Sequence, residues 1–169
     1  MFRKTLFAAV LIGVVSALAF APPADSATTD TLTVTASIAN VCIFDTTTGT
    51  IAFGVYDPIV ANATIPINQS YTAQYTCTAG DATYTFAFAS ANVNGGLCRM
   101  TNGSAFLQYT ISDGTYTTYC TGTARAATSE LTATGTIQSY TGFTFSLLAG
   151  QTTATLGSYT DTNTLTIAP

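Results

Sequence analysis

The residues whose chemistry is most constrained by type and number are four cysteines, Cys42, Cys77, Cys98 and Cys120. In an exported chain an even cysteine count reads as disulfides, and four cysteines allow three pairings. Sequential pairing, Cys42 with Cys77 and Cys98 with Cys120, is the simplest. Zinc would need close pairs such as C-x-x-C, which are absent. The sequence contains no histidine, which excludes Ser-His-Asp and Cys-His nucleophile systems and histidine-based metal sites. Its only lysine, Lys4, lies in the leader described below, so the rest of the chain has none for Schiff-base chemistry. What remains is a carboxylate pair of the kind used in glycoside hydrolysis, drawn from Asp57, Asp113, Glu130 or Asp161. Asp57 and Asp113 fall among turn formers and Glu130 in a small, polar stretch, so the pattern reads as turns and solvated loops rather than an enzyme. Asn94–Gly95–Gly96 is too slight for a phosphate loop and reads as a turn. Asn62, Asn68 and Asn102 match the N-glycosylation pattern, which a Thr- and Asn-rich chain meets by chance.

The elements that would position these residues begin after an N-terminal leader. Met1 to Ala27 has the plan of a secretory signal peptide: Arg3 and Lys4 first, an apolar run from Leu6 to Phe20, then small residues. Cleavage after Ala21 satisfies the Ala19–Phe20–Ala21 pattern. Cleavage after Ala27, favoured here, leaves Thr28 to open the Thr-rich composition. The apolar run is short for a membrane span, which makes a retained anchor the weaker reading. From Thr28 onward two arginines, Arg99 and Arg125, stand against Asp30, Asp45, Asp57, Asp81, Asp113, Glu130 and Asp161, a net charge of −5. A nucleic-acid partner needs a basic stripe to neutralise phosphates, and none exists. Polar surface comes instead from Thr, Ser, Asn and Gln. Such a surface has weak charge repulsion and high β-propensity, and it suits an assembling protein.

Period-two alternation runs through this region. In Asp30 to Asn40, residues Leu32, Val34, Ala36 and Ile38 share one face and Thr31, Thr33, Thr35 and Ser37 the other, the pattern of a half-buried strand. The phase changes at Asn40, where Val41 and Ile43 take the opposite parity, so a new strand is expected from Val41 to Phe44. Further strands are expected at Ile51 to Phe53, Tyr71 to Thr78, Thr83 to Ala89, Phe106 to Ser112, Thr136 to Tyr140, Gly142 to Leu148 and Thr162 to Ala168. Asp113–Gly114 predicts a tight hairpin returning through Thr115 to Cys120. Asn92 to Gly96 and Thr121 to Thr134 read as loops. No window has helical periodicity, and turns recur every ten residues or so, which predicts an all-β sandwich of Greek-key type.

Several stretches, in order, resemble the spore coat protein U domain family, which includes secreted pilins of the archaic, Csu-type chaperone–usher pili of bacteria. They are the alternating start ending in Val41–Cys42, Phe53–Gly54–Val55–Tyr56–Asp57–Pro58 and Tyr75–Thr76–Cys77–Thr78. Later come Arg99–Met100, Leu107–Gln108–Tyr109, Ala149–Gly150–Gln151 and Gly157–Ser158–Tyr159–Thr160–Asp161–Thr162. The resemblance implies an incomplete immunoglobulin-like sandwich, residues 41–169, whose missing strand is supplied by the N-terminal segment, residues 28–40, of a neighbouring subunit. Leu32, Val34, Ala36 and Ile38 would be the plugs of that donor strand. Cys42 with Cys77 would be the family's disulfide, and Cys98 with Cys120 an additional bridge. A periplasmic chaperone and an outer-membrane usher would be partners on the way to a secreted fibre that supports adhesion and biofilm formation. No cofactor, metal or nucleic acid is implied. The alternative is a monomeric secreted, spore-coat or glycan-binding sandwich with the N-terminal strand in its own sheet.

Overall fold

The computed structural model describes residues 29–45, 49–80, 84–126 and 132–169. The leader expected at Met1 to Ala27 and the carboxylate of Glu130 lie outside the described residues. The chain divides at Ala36/Ser37, and every strand among the described residues lies beyond that point. Those strands are β1 (Cys42–Phe44), β2 (Ile67–Cys77), β3 (Thr85–Ser90), β4 (Val93–Asn94), β5 (Leu97–Thr101), β6 (Phe106–Ser112), β7 (Arg125–Ala126), β8 (Gln138–Leu147) and β9 (Asn163–Ala168). They form a six-stranded sheet in the order β1-β2-β8-β6-β5-β4 and a three-stranded sheet in the order β7-β3-β9. Every strand pairing is antiparallel.

The inward residues of both sheets meet in an aromatic core. Phe86 and Phe88 of β3 pack on Phe143 of β8 with ring centroids 5.3 and 4.8 Å away. Tyr140 and Tyr119 complete the shell around Phe143 at 4.7 and 5.7 Å. These edge-on and tilted rings add about 0.5–1.5 kcal/mol per pair beyond the area they bury. The buried hydroxyls are partnered: those of Tyr75 and Tyr84 hydrogen-bond each other, and Tyr119 donates to Asp113 Oδ2 at 2.5 Å. Two disulfides are present: Cys42 to Cys77 links the neighbouring strands β1 and β2 of one sheet, and Cys98 of β5 is joined to Cys120 in the segment after β6.

Several expectations need correction. Thr136 to Tyr140 and Gly142 to Leu148 are one strand, β8, with a register shift opposite Tyr71 and Ala73. Two residues of β8, Thr141 and Gly142, stand where β2 has only Thr72, a bulge that changes which parity faces inward. Tyr140 is buried on one side of it and Phe143, Phe145 and Leu147 on the other. A Cβ at Gly142 would lie 2.8 Å from the ring of Tyr140, so a larger residue there would force that ring to move.

The return after Asp113–Gly114 is not a strand. The Asp113 carboxylate takes the N–H groups of Thr115 and Tyr116, at 3.1 and 2.8 Å. The chain then dives to bury Tyr119 and Cys120 instead of pairing with β6 along its length. Asn92 to Gly96 contributes to a short β4–β5 hairpin, and the loop after Thr121 contains β7. Ile51 to Phe53 alternates as expected, with Ile51 and Phe53 packed against the core, yet belongs to no strand. Residues 29–41 likewise form no strand and are exposed.

Candidate functional site: an open groove beside the last strand

β9 is bonded to β3 along one edge only, and within its sheet no described strand lies on its other side. Its alternation places Asn163, Leu165 and Ile167 towards the interior and Thr164 and Thr166 outward. Beside that open edge lies a hollow of about 630 Å³. Its opposite wall is the strandless stretch holding Ile51 and Phe53, and its floor is Tyr71, Phe88, Tyr109 and Phe145. A second hollow of about 800 Å³ shares Ile51, Phe53, Met100 and Tyr159 with the first and continues to Ile59 and Leu156. The result is one long groove, apolar on its floor, with unpaired backbone along a wall. A groove of that kind exposes a strand edge and core side chains together, the arrangement that pairs with another chain unless filled.

Polar networks tie each wall to neighbouring strands. Near the start of β9 the Asp161 carboxylate accepts from Ser90 Oγ at 2.5 Å, Tyr109 OH at 2.7 Å and Asn92 Nδ2 at 3.3 Å. Asn163 Nδ2 in turn donates to Tyr109 OH at 2.5 Å. Burial, reinforced by the Asp161 carboxylate, pushes the Tyr109 phenol above its ordinary value. At the other wall Tyr56 OH donates to the carbonyl of Leu148 at 2.8 Å and accepts from Gln151 N at 3.0 Å. Gln151 Nε2 donates to the carbonyls of Gln108 and Leu148, both at 2.9 Å, and its Oε1 accepts from Gln108 N. Tyr56 and Gln151 thus anchor the strandless wall to β6 and to the end of β8. Both stand in the family-like stretches, but only the fold shows that they brace the groove.

Of the carboxylates considered for catalysis, the three described ones, Asp57, Asp113 and Asp161, are engaged in hydrogen bonds within the fold. Asp57 Oδ1 accepts from the N–H groups of Ile59 and Val60 at 2.9 and 3.0 Å, closing a turn. The bond from Ile59, followed by that from Val60, holds the Asp57 carboxyl below its ordinary value. Asp113 caps the turn after β6, and Asp161 is spent on three donors. Among the described residues no group of three or more His, Cys, Asp or Glu could hold a metal ion.

The candidate plugs are outside any core. Leu32, Val34 and Ile38 are 87, 84 and 86 % exposed, and Ala36 is exposed with them. Within residues 29–36, Thr31 N donates to Asp30 Oδ1 at 2.8 Å.

Comparison with known proteins adds the relatives of this fold. A family model described as Spore Coat Protein U domain matches residues 28–166. No curated protein matches the chain. The fold is similar to the crystal structure of the P pilus rod subunit PapA, with a TM-score of 0.59 at 15 % identity, covering 75 % of this chain and 97 % of that one. It is also similar to a chain from a chaperone–usher pilus structure concerned with rod uncoiling. The TM-score there is 0.56 at 13 % identity, covering 86 % of this chain and 98 % of that one. The architecture is an immunoglobulin-like sandwich like that of these pilus subunits, and β9 is one of its edge strands.

Proposed function

The chain belongs to the Spore Coat Protein U domain family, and from that premise we propose that it is a structural subunit of an extracellular fibre, assembled by donor-strand complementation. One observation carries the reading: β9 presents an unpaired edge beside an apolar groove, while a segment of matching alternation stands exposed at the other end of the chain. In the proposed assembly Leu32, Val34, Ala36 and Ile38 of one copy enter the groove of the next. Its backbone pairs with β9, and the strandless wall at Ile51 and Phe53 closes over it. Each large plug would contribute roughly 1.5–3 kcal/mol on full burial, Ala36 less. Ladder bonds would add about 1 kcal/mol each. Together these rival the stability of a typical domain, so a seated strand leaves very slowly.

The same groove would be exposed after synthesis, and a periplasmic chaperone followed by an outer-membrane usher is the proposed route by which it stays covered until assembly. The fibre's proposed role is adhesion to surfaces and biofilm formation, with no catalysis by the subunit. The test is deletion of Thr31 to Asn40. The expected result is export with loss of filaments by electron microscopy; filaments from the truncated chain would sink the proposal.

A further inference from the structure

The donor segment and the groove belong to one chain, so each subunit could plug itself and stop assembly. Phe44, the last residue of β1, and the stretch after it line the groove, so the segment ahead of β1 could lie along that groove only after a reversal of direction between Ile38 and Phe44. Tight reversals favour residues that tolerate the left-handed backbone region, chiefly Gly and Asn. From Ser37 to Phe44 there is no glycine or proline, and Asn40 is the single residue of that type.

Both neighbours of Asn40 are held by one side chain. Thr78 Oγ1 accepts from Val41 N at 3.1 Å and has two carbonyls within donating distance, those of Ala39 at 3.1 Å and Val41 at 3.2 Å. Thr78 N also donates to the Val41 carbonyl at 2.9 Å, one rung beyond the β1–β2 ladder. The disulfide between Cys42 and Cys77 fixes the adjacent residue of each strand. Asn40 itself keeps a negative φ, as do all described non-glycine residues.

We infer that Thr78 is a positioning residue: its hydroxyl straddles the one turn-capable residue, keeps the segment from folding back into its own groove, and so directs it to a second copy. This rests on the fibre reading above and adds a device that this reading does not require. The hydroxyl forms exposed hydrogen bonds, so its loss should shift the balance between self-plugged and assembled chains about two- to tenfold.

The experiment refolds the chain from Thr28 at fixed concentration and measures monomer against polymer by size exclusion with light scattering. Hydrogen exchange on the monomer fraction then reports whether the amides of residues 32–38 are protected. Thr78→Val and Asn40→Gly are each expected to raise the share of monomer, with residues 32–38 protected, and Thr78→Ser to restore the wild-type share. An unchanged share in both Thr78→Val and Asn40→Gly, with wild-type polymer present, overturns the inference and leaves the fibre reading standing. If Thr78→Val fails to fold, Thr78→Ala takes its place, a rise in protected monomer supporting the inference and no rise overturning it. Wild-type chain that gives only monomer overturns the fibre reading and the role of Thr78 with it.

Discussion

Residues 32–38 and residues 143–147 carry the same alternation and opposite burial. Phe143, Phe145 and Leu147 lie at 0, 5 and 1 % exposure, whereas Leu32, Val34 and Ile38 are above 80 %. β8 has hydrogen-bonded neighbours on both sides, β2 and β6, and a facing sheet that supplies Phe86 and Phe88. Residues 32–38, by contrast, belong to no described strand and are exposed. Alternation says that a stretch has a face to bury when extended; it does not say against what. Burial requires a partner strand for the backbone and a facing layer for the side chains; β9 has an edge with no described strand beside it and a hollow lined by Phe88, Tyr109 and Phe145.

That contrast can be broken at either member, and the largest effect on folding should come from the buried one. Phe143→Ala empties the centre of the aromatic cluster and should cost about 3–5 kcal/mol in denaturant unfolding. A cost below about 1 kcal/mol would mean that the core is not organised around that ring. Replacing Cys98 and Cys120 together by alanine opens a loop with a sequence separation of 22. In the chain-entropy model this removes about 3 kcal/mol of stability, to be read from the urea midpoint of the oxidised protein.

Tyr109→Phe leaves Asp161 and Asn163 each one partner short at the groove end, and about 1–3 kcal/mol should be lost in the same assay. The buried phenols add a pH dependence of defined sign. Tyr84, Tyr109 and Tyr119 have folded-state values raised above the ordinary value of 10.0, first by burial. The unfolded chain therefore ionises first. The stability these groups contribute is complete below pH 10 and is lost as pH rises above it towards their folded-state values. Phenolate absorbance should consequently rise together with unfolding, and a rise completed before unfolding would contradict the burial. The smallest effect on folding belongs to the exposed member: Val34→Asp should move the unfolding midpoint by no more than about 0.5 kcal/mol. The same substitution should abolish filaments, because an unpaired carboxylate cannot enter an apolar groove.

Much of the fold was legible because the physics involved is local. Phe106 to Ser112 was predicted with the bounds of β6, and Thr162 to Ala168 differs from β9 by a residue, since alternation with β-formers is a near-neighbour property. The absence of helical periodicity marked the fold class for the same reason. Side-chain capture and packing hid the rest. Asp113–Gly114 promised a hairpin, yet Asp113 seizes the next two free N–H groups and Cys120 is pulled to Cys98. The phase break between Tyr140 and Phe143 looked like two strands and is one strand with a bulge over which Tyr140 folds. Tyr56 and Gln151 gave no sign of bracing a groove, because their partners are more than 90 residues apart in the case of Tyr56 and Leu148, and 43 apart in that of Gln151 and Gln108.

By itself the sequence determined the all-β class, most strand positions, the family to which the chain belongs, and the presence of an alternating segment ahead of the first cysteine. These follow from residue type, period and order along the chain. Tertiary structure alone decided that β9 ends at an open edge, that Ile51 and Phe53 line a groove in place of pairing, and that Thr78 grips both sides of Asn40. Each of these depends on which distant segments become neighbours, and hydrogen bonds and apolar contacts form between neighbours in space.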